Sequence, residues 1–147
     1  MHPIVEGCGV RMRTDKILVI DDEYMMRYLL TLSLEQNGYE VISAADGQEG
    51  IDILEGGERV SIVITDIVMP RKEGIETIIE IRRKFPDVKI MAISGAGERK
   101  DEFLALAKKL GANAVMPKPI DFERLTDLVA QLLRLKDETV LLHAYAS

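Results

Sequence analysis

Carboxylates follow two of the strongly apolar runs in this sequence. Asp21 and Asp22 come directly after the run 17–20. Asp66 comes directly after a second run, 61–65. If both runs are parallel strands, the three carboxylates meet at one edge of a sheet. Two unit charges ~5 Å apart at an effective dielectric of ~20 repel by roughly 3 kcal/mol, so such a cluster either binds a cation or retains a proton.

The other side chains of the chain favour a hard cation for this cluster. The only histidines are His2 and His143, near the two ends, and the only cysteine is Cys8. Oxygen ligands without imidazole or thiolate suit Mg²⁺, with Mn²⁺ as a substitute. Each aspartate taken alone has another reading, since Asp after a strand is often a turn former or a helix N-cap.

Two further strand ends supply groups that suit a phosphoryl group. Ser94 and Gly95 follow the apolar run 89–93, and Lys118 follows the run 112–116. A lysine is a compact cation for phosphoryl oxygens, a serine hydroxyl is a donor, and a glycine allows close backbone approach. Alone, each would be an ordinary surface or turn residue. At the edge that carries the carboxylates, they indicate a phosphoryl-binding pocket.

The elements that position these groups alternate between short β-branched runs and segments of helical period. This pattern predicts an α/β fold, a doubly wound parallel sheet with helices on both faces and a functional edge at the carboxyl ends of its strands. The predicted strands are 17–20, 41–43, 61–65, 89–93 and 112–116. Asp121 is the predicted N-cap of the last helix. The apolar positions that mark the helices are Met26, Leu30 and Leu34, then Ile51 and Leu54, then Ile75, Ile78 and Ile79, then Phe103, Leu104 and Ala107, and finally Phe122, Leu125, Leu128, Val129, Leu132 and Leu133.

Length and composition predict one domain. The chain has 147 residues, 47% of them hydrophobic, enough for a core without disulfides or structural metals. The expected domain is 15–136, between extensions 1–14 and 137–147. A net charge of −6 opposes direct binding to nucleic acid or an anionic membrane surface. With no apolar run of signal-peptide or membrane-span length and a single cysteine, we expect a cytoplasmic protein without membrane insertion.

Four motifs in their order resemble the receiver domain of two-component response regulators, of the chemotaxis-type single-domain kind. The resemblance covers about residues 15–135. It implies a flavodoxin-like five-stranded sheet of order 2-1-3-4-5 with five helices. The motifs are Asp21-Asp22, then Asp66-Ile67-Val68-Met69-Pro70 with Gly74 beyond it, then Ser94-Gly95, then Lys118-Pro119.

The resemblance also implies roles for these residues. Asp66 would accept a phosphoryl group from a histidine kinase or a phosphotransfer protein, or from acetyl phosphate with the domain catalysing its own modification. The implied Mg²⁺ ligands are the Asp22 and Asp66 side chains and the Val68 backbone carbonyl, with Asp21 acting mainly through bound water. Ser94, Gly95 and Lys118 would contact the phosphoryl group, and a cis peptide bond would precede Pro119.

Three positions depart from the usual family pattern. Val115 stands where the family often has an aromatic residue, so we expect a quieter response carried by the 94–99 loop and the helix that follows it. Val68 and Ala96 occupy positions thought to modulate hydrolysis of the acyl phosphate. Neither side chain can orient a water by hydrogen bonding, which predicts slow self-dephosphorylation.

The expected output is docking to a downstream protein through the fourth helix, fifth strand and last helix, as a monomer or a phosphorylation-dependent dimer. We expect no effector domain in the short stretch after the last helix, unless the chain is excised from a larger regulator. A non-phosphorylated receiver-like binding module remains an alternative. A flavodoxin-like cofactor binder is disfavoured because the acidic run 21–23 repels phosphate, and an aspartyl phosphatase because its acid would fall at Val68 and a capping insertion is missing.

Overall fold

The sheet and its helices follow the predicted alternation. The computed structural model describes residues 15–67, 73–95 and 100–137. These residues form β1 (Lys16–Ile20), α1 (Tyr24–Gln36), β2 (Glu40–Ala44), α2 (Gly47–Glu55), β3 (Ile62–Asp66), α3 (Glu73–Lys84), β4 (Lys89–Ser94), α4 (Lys100–Lys109), β5 (Ala114–Pro117) and α5 (Phe122–Asp137).

All strand pairs are parallel, and the strand order is β2-β1-β3-β4-β5. This confirms the predicted flavodoxin-like fold. The order reverses direction beside β1, so the carboxyl ends of β1 and β3 flank the switch point where such sheets bind ligands.

Two apolar clusters, one on each face of the sheet, form the core. One cluster contains Leu18 and Val63 and is covered by α2, α3 and α4. The other contains Val19 and Ile64 and is covered by α1 and α5. Successive strand residues therefore point to opposite faces, which explains why the strands are apolar at nearly every position. None of the described helices combines the length and the apolarity that a membrane crossing requires.

Local signals fix several element ends. The side chain of Asp121 accepts a hydrogen bond from Arg124 N at 3.1 Å, so the predicted N-cap of α5 is confirmed. At α2, Asp46 accepts from Glu49 N while the Glu49 side chain accepts from Ala45 N, each at 2.8 Å. The Asp46 bond satisfies a backbone donor of the first helical turn, and the Glu49 bond ties that turn to Ala45, the residue before the N-cap.

Two details of the prediction were wrong. Ile79 does not face the core with Ile78 but is 45% exposed, and Ile81 is buried instead. At 100° per residue, Ile78 and Ile81 share a face that Ile79 leaves. The fifth strand begins at Ala114 rather than Ala112, because Gly111 at φ 123 ends the turn after α4 before the chain can extend.

Arg82, at the end of α3, fastens three segments at the amino-terminal edge of the sheet. Its guanidinium donates to the carbonyls of Pro86 and Val88, each at 2.9 Å, and to Gly111 O at 2.9 and 3.2 Å. It also donates to Asn113 Oδ1 at 2.8 Å. These bonds occupy all five N–H groups of an arginine.

Because a lysine has three donors without the planar fork, Arg82→Lys is expected to leave the part-buried carbonyls of Val88 and Gly111 incompletely paired and to lower the free energy of unfolding by about 2 kcal/mol. Urea denaturation of the wild type and the variant measures this difference. The exposed neighbour Arg83 supplies the control Arg83→Lys, which should change stability little. Equal losses in both variants would show that the bonds of Arg82 contribute nothing specific.

Candidate functional site

The alternation of strand side chains brings the acidic groups together. Val19 and Ile64 point to the α1 and α5 face. Asp21 and Asp66 lie two residues beyond them and so fall on the same face, where their strands reach the carboxyl edge. Lys118, just after β5, also reaches this point.

The four charged groups form one compact cluster. Carboxylate oxygens of Asp21, Asp22 and Asp66 all lie within 4.8 Å of one another. Lys118 Nζ is 2.9 Å from Asp66 Oδ2 and 3.5 Å from Asp21 Oδ2. Asp21 and Asp66 are buried, at 1% and 5% exposure, whereas Asp22 is exposed. The site is therefore a pocket with two buried carboxylates and one at its mouth.

The carboxylate of Asp21 is buried and held on one side by the backbone. Its Oδ1 accepts a hydrogen bond from Glu23 N at 2.8 Å. Its Oδ2 is buried and has no hydrogen-bond partner among the described residues. Burial raises the pKa of Asp21, and the charges of Asp66 and Asp22 add to this, whereas the Glu23 N–H and Lys118 oppose it. A buried acceptor whose nearest donor is Lys118 Nζ, at 3.5 Å, suits a cation or its bound water.

Lys118 balances part of this negative charge. Burial alone would lower the pKa of Lys118, but the hydrogen bond to Asp66 and the charges of Asp66 and Asp21 outweigh it, so the pKa is raised. The ammonium group therefore stays charged. The backbone N of Lys118 donates to Ser94 O at 2.7 Å, and the peptide bond from Lys118 to Pro119 is cis.

The donor set fits a small divalent cation. It offers three carboxylates at close range, one with an unsatisfied buried oxygen, and hard oxygen ligands are those that Mg²⁺ prefers. Lys118 Nζ pairs with oxygens of Asp66 and Asp21, whereas the third carboxylate, Asp22, is exposed. The backbone carbonyl of Val68, the fourth predicted ligand, lies outside the described residues.

The remaining predicted residues are Ser94, Gly95, Val115 and Ala96. Ser94 is buried, and its Oγ donates weakly to Gly95 O at 3.4 Å. By alternation its side chain starts on the face opposite to Asp66. Val115 is half-buried and packs against the apolar core cluster that α2, α3 and α4 cover. Ala96 lies outside the described residues.

Gly74, at the start of α3, lies directly against the end of β3. A Cβ at this position would collide with Ile67 Cα and Asp66 O. Only a glycine therefore lets the helix begin this close to the candidate phosphoacceptor.

Two features near the site were not predicted from the sequence. Arg27 Nη1 donates to Asp21 O at 2.7 Å, a contact that no sequence motif indicates. The outer face of α1 is apolar although exposed: we call Tyr24, Met25, Tyr28, Leu29 and Leu32, which are between 39% and 67% exposed, the α1 face. Their spacing of i, i+1, i+4, i+5 and i+8 is the signal that could have revealed it.

Comparisons with known proteins agree on one family. The model of the response regulator receiver domain matches residues 17–130. The transcriptional regulatory protein CpxR of Escherichia coli K12 is 33% identical over 120 residues, covering 82% of this chain and 50% of CpxR. The sensor kinase CckA of Brucella abortus is 36% identical over 126 residues, covering 82% of this chain and 13% of CckA. The chain thus spans half the length of CpxR, and much less of the kinase.

A solved structure extends the similarity. The response regulator protein TrrA of Thermotoga maritima, in complex with Mg(2+)-BeF, superimposes with a TM-score of 0.71 at 33% identity. The match covers 81% of this chain and 99% of TrrA.

Proposed function

Because this chain belongs to the response regulator receiver domain family, whose members are phosphoacceptor switches of two-component signalling, we propose that Asp66 is its phosphoacceptor in a Mg²⁺-dependent reaction. The observation that carries the proposal is the placement of Asp66. It is buried at the carboxyl end of β3, with two more carboxylates within 4.8 Å and Lys118 at 2.9 Å. Lys118 pairs with Asp66 and Asp21, whereas Asp22 is exposed.

The residues divide the work of phosphoryl transfer. An Asp66 oxygen attacks phosphorus, a P–O bond forms, and the bond to the donor's leaving group breaks, which leaves an acyl phosphate. Lys118 stabilises the charge on the phosphoryl oxygens. Asp21 and Asp22, with Asp66, would hold Mg²⁺, which neutralises charge on the transferring group when bound. The Mg(2+)-BeF complex of TrrA supports a site of this chemistry.

The product would act as a switch. An acyl phosphate adds about two negative charges, and the Ser94 hydroxyl would turn from Gly95 O towards one of its oxygens. Because Lys118 N donates to Ser94 O, movement there is communicated to β5. We propose that α4, β5 and α5 then present a changed surface to a downstream protein, with Leu106 and Leu135 among its exposed apolar residues.

The proposed setting is the cytoplasm, because a sequence with a single cysteine fits a reducing compartment. The chain covers only part of CpxR and CckA. An effector domain or a kinase core on the same polypeptide is therefore the alternative to output by docking alone.

The test of the proposed function is intact-mass analysis of the wild-type chain after incubation with acetyl phosphate, with Mg²⁺ or with EDTA. We expect one phosphoryl group per chain with Mg²⁺ and none with EDTA. If acetyl phosphate fails, a histidine-phosphorylated phosphotransfer domain is the second donor. No gain of mass from either donor would leave the chain a non-phosphorylated binding module.

The α1 face supports a docking site for a protein phosphodonor. Its five residues are exposed yet apolar, and exposed apolar patches of this kind mark interaction sites. It begins one residue after Glu23, so a partner helix lying on it would bring a phosphohistidine to the mouth of the pocket. Asp22 and Glu23 favour positive charge at that end of the partner.

Acidic substitutions on the α1 face should separate protein donors from small donors. We expect Tyr28→Asp with Leu29→Asp to slow transfer from a histidine-phosphorylated phosphotransfer domain by about thirty-fold, a loss typical of central interface residues. Phosphorylation by acetyl phosphate should be unaffected. Ile79→Asp, on the outer side of α3, is the matched control. An equal effect on both donors would argue against docking here.

A further inference from the structure

Arg27 fastens the acidic turn between β1 and α1. Its guanidinium donates to Asp21 O at 2.7 Å, and its backbone N donates to Glu23 O at 3.1 Å. Its guanidinium carbon lies 5.7 Å from the centroid of the Tyr24 ring, within cation–π range. The backbone of Arg27 is thus fixed in α1, and its side chain bonds to the backbone of Asp21.

Three hydrogen bonds hold Asp21, the first residue of this turn. Asp21 N donates to Ala44 O at 3.2 Å, and Asp21 Oδ1 accepts from Glu23 N at 2.8 Å. With Arg27 on its carbonyl, Asp21 is restrained at its N–H, its C=O and one carboxylate oxygen. The remaining oxygen is the buried Oδ2, which has no hydrogen-bond partner in the described part of the chain and lies 3.5 Å from Lys118 Nζ. The restraints therefore aim that oxygen into the pocket.

We propose that Arg27 is a positioning residue that sets the affinity of the pocket for divalent cations by holding the Asp21–Glu23 turn in its ligand-ready shape. The inference rests on the proposed function, because it assumes that this pocket binds Mg²⁺. Within the described ranges, the guanidinium of Arg27 donates to a carbonyl and to no carboxylate. It therefore orders the turn without occupying the oxygens that the cation needs, unlike Lys118, which pairs with them.

Two effects of removing Arg27 have opposite signs. Loss of a positive charge near the pocket would strengthen cation binding by simple electrostatics. Loss of the bond from Arg27 to Asp21 O would weaken cation binding, because residues that hold metal ligands in place typically contribute about 10-fold or more in metal affinity. The proposal requires the second effect to win, and the sign of the change decides between them.

The experiment measures the Mg²⁺ dissociation constant by isothermal titration calorimetry for the wild type, Arg27→Met and Arg27→Lys. We expect about 10-fold weaker binding for Arg27→Met and an intermediate value for Arg27→Lys, whose ammonium can restore one bond to Asp21 O. Titrations in high salt, which screens surface charge, should preserve the order. Arg59→Met, an exposed arginine before β3, makes the same charge change at the opposite edge and should leave the constant unchanged.

Thermal unfolding in EDTA separates positioning from folding. A purely structural Arg27 would lower the melting temperature and leave the Mg²⁺ constant of the folded protein at the wild-type value, which overturns the proposal. So does tighter binding by Arg27→Met. Should Arg27→Met fail to fold, Arg27→Gln takes its place in the same titrations, and wild-type Mg²⁺ affinity in Arg27→Gln at high salt would overturn the proposal equally. If the wild type itself binds no Mg²⁺, the proposed function fails instead.

Discussion

Replacing Asp66 by asparagine is expected to abolish phosphoryl incorporation, with a rate more than about 10³-fold below the wild type. The amide keeps the size of the side chain but removes the oxygen that attacks phosphorus. It also removes one of the three clustered carboxylates, so Mg²⁺ should bind at least about 10-fold more weakly. Time-resolved intact mass with acetyl phosphate measures the rate, and calorimetry measures the affinity.

Asp87 provides the matched control for this substitution. It is exposed and precedes β4 at the amino-terminal edge of the sheet, so Asp87→Asn makes the same chemical change away from the pocket. The Asp87→Asn variant should accept phosphoryl groups at the wild-type rate. Incorporation into Asp66→Asn at the wild-type rate would mean that another residue is the acceptor.

Replacing Lys118 by methionine is expected to move two quantities in opposite directions. The rate of phosphorylation should fall about 10²- to 10³-fold, the loss typical for a group that stabilises transition-state charge. Mg²⁺ should bind more tightly, because Lys118 Nζ now contacts the oxygens of Asp66 and Asp21, at 2.9 and 3.5 Å, and partly neutralises them. The methionine chain keeps most of the apolar stem in place.

The same two measurements test this prediction, with Lys108→Met as the control because Lys108 is exposed in the last turn of α4. A fall in both rate and affinity would indicate that Lys118 holds the pocket together and does not compete for its oxygens. An unchanged rate would exclude it from the transfer step.

The sequence predicted the fold and the sheet edge because both depend on short-range patterns. Apolar runs gave the strands, and the residues directly after them, such as Asp21 and Asp66, had to meet where parallel strands end. The topology then follows from right-handed crossovers and a resemblance covering most of the chain.

What the sequence could not predict depends on long-range contacts of ordinary residue types. Arg82 bonds backbone carbonyls near residue 111, and Arg27 bonds the carbonyl of Asp21. Any residue can supply a backbone carbonyl, so the sequence does not show which carbonyls these two arginines bond. The α1 face was overlooked for a different reason. The buried Leu30 and Leu34 are enough to predict α1 as a helix. The second apolar stripe of α1 was therefore not needed for that prediction and received no separate interpretation.

The measurement that tests the central claim most directly is chemical trapping of the phosphorylated residue. Borohydride reduces an acyl phosphate to the alcohol, which converts a phosphorylated aspartate into homoserine, and peptide mass spectrometry locates it. After incubation with acetyl phosphate and Mg²⁺, we expect homoserine at position 66 and nowhere else. Homoserine at another aspartate, or its absence from a chain that has gained a phosphoryl group, would contradict the assignment of Asp66.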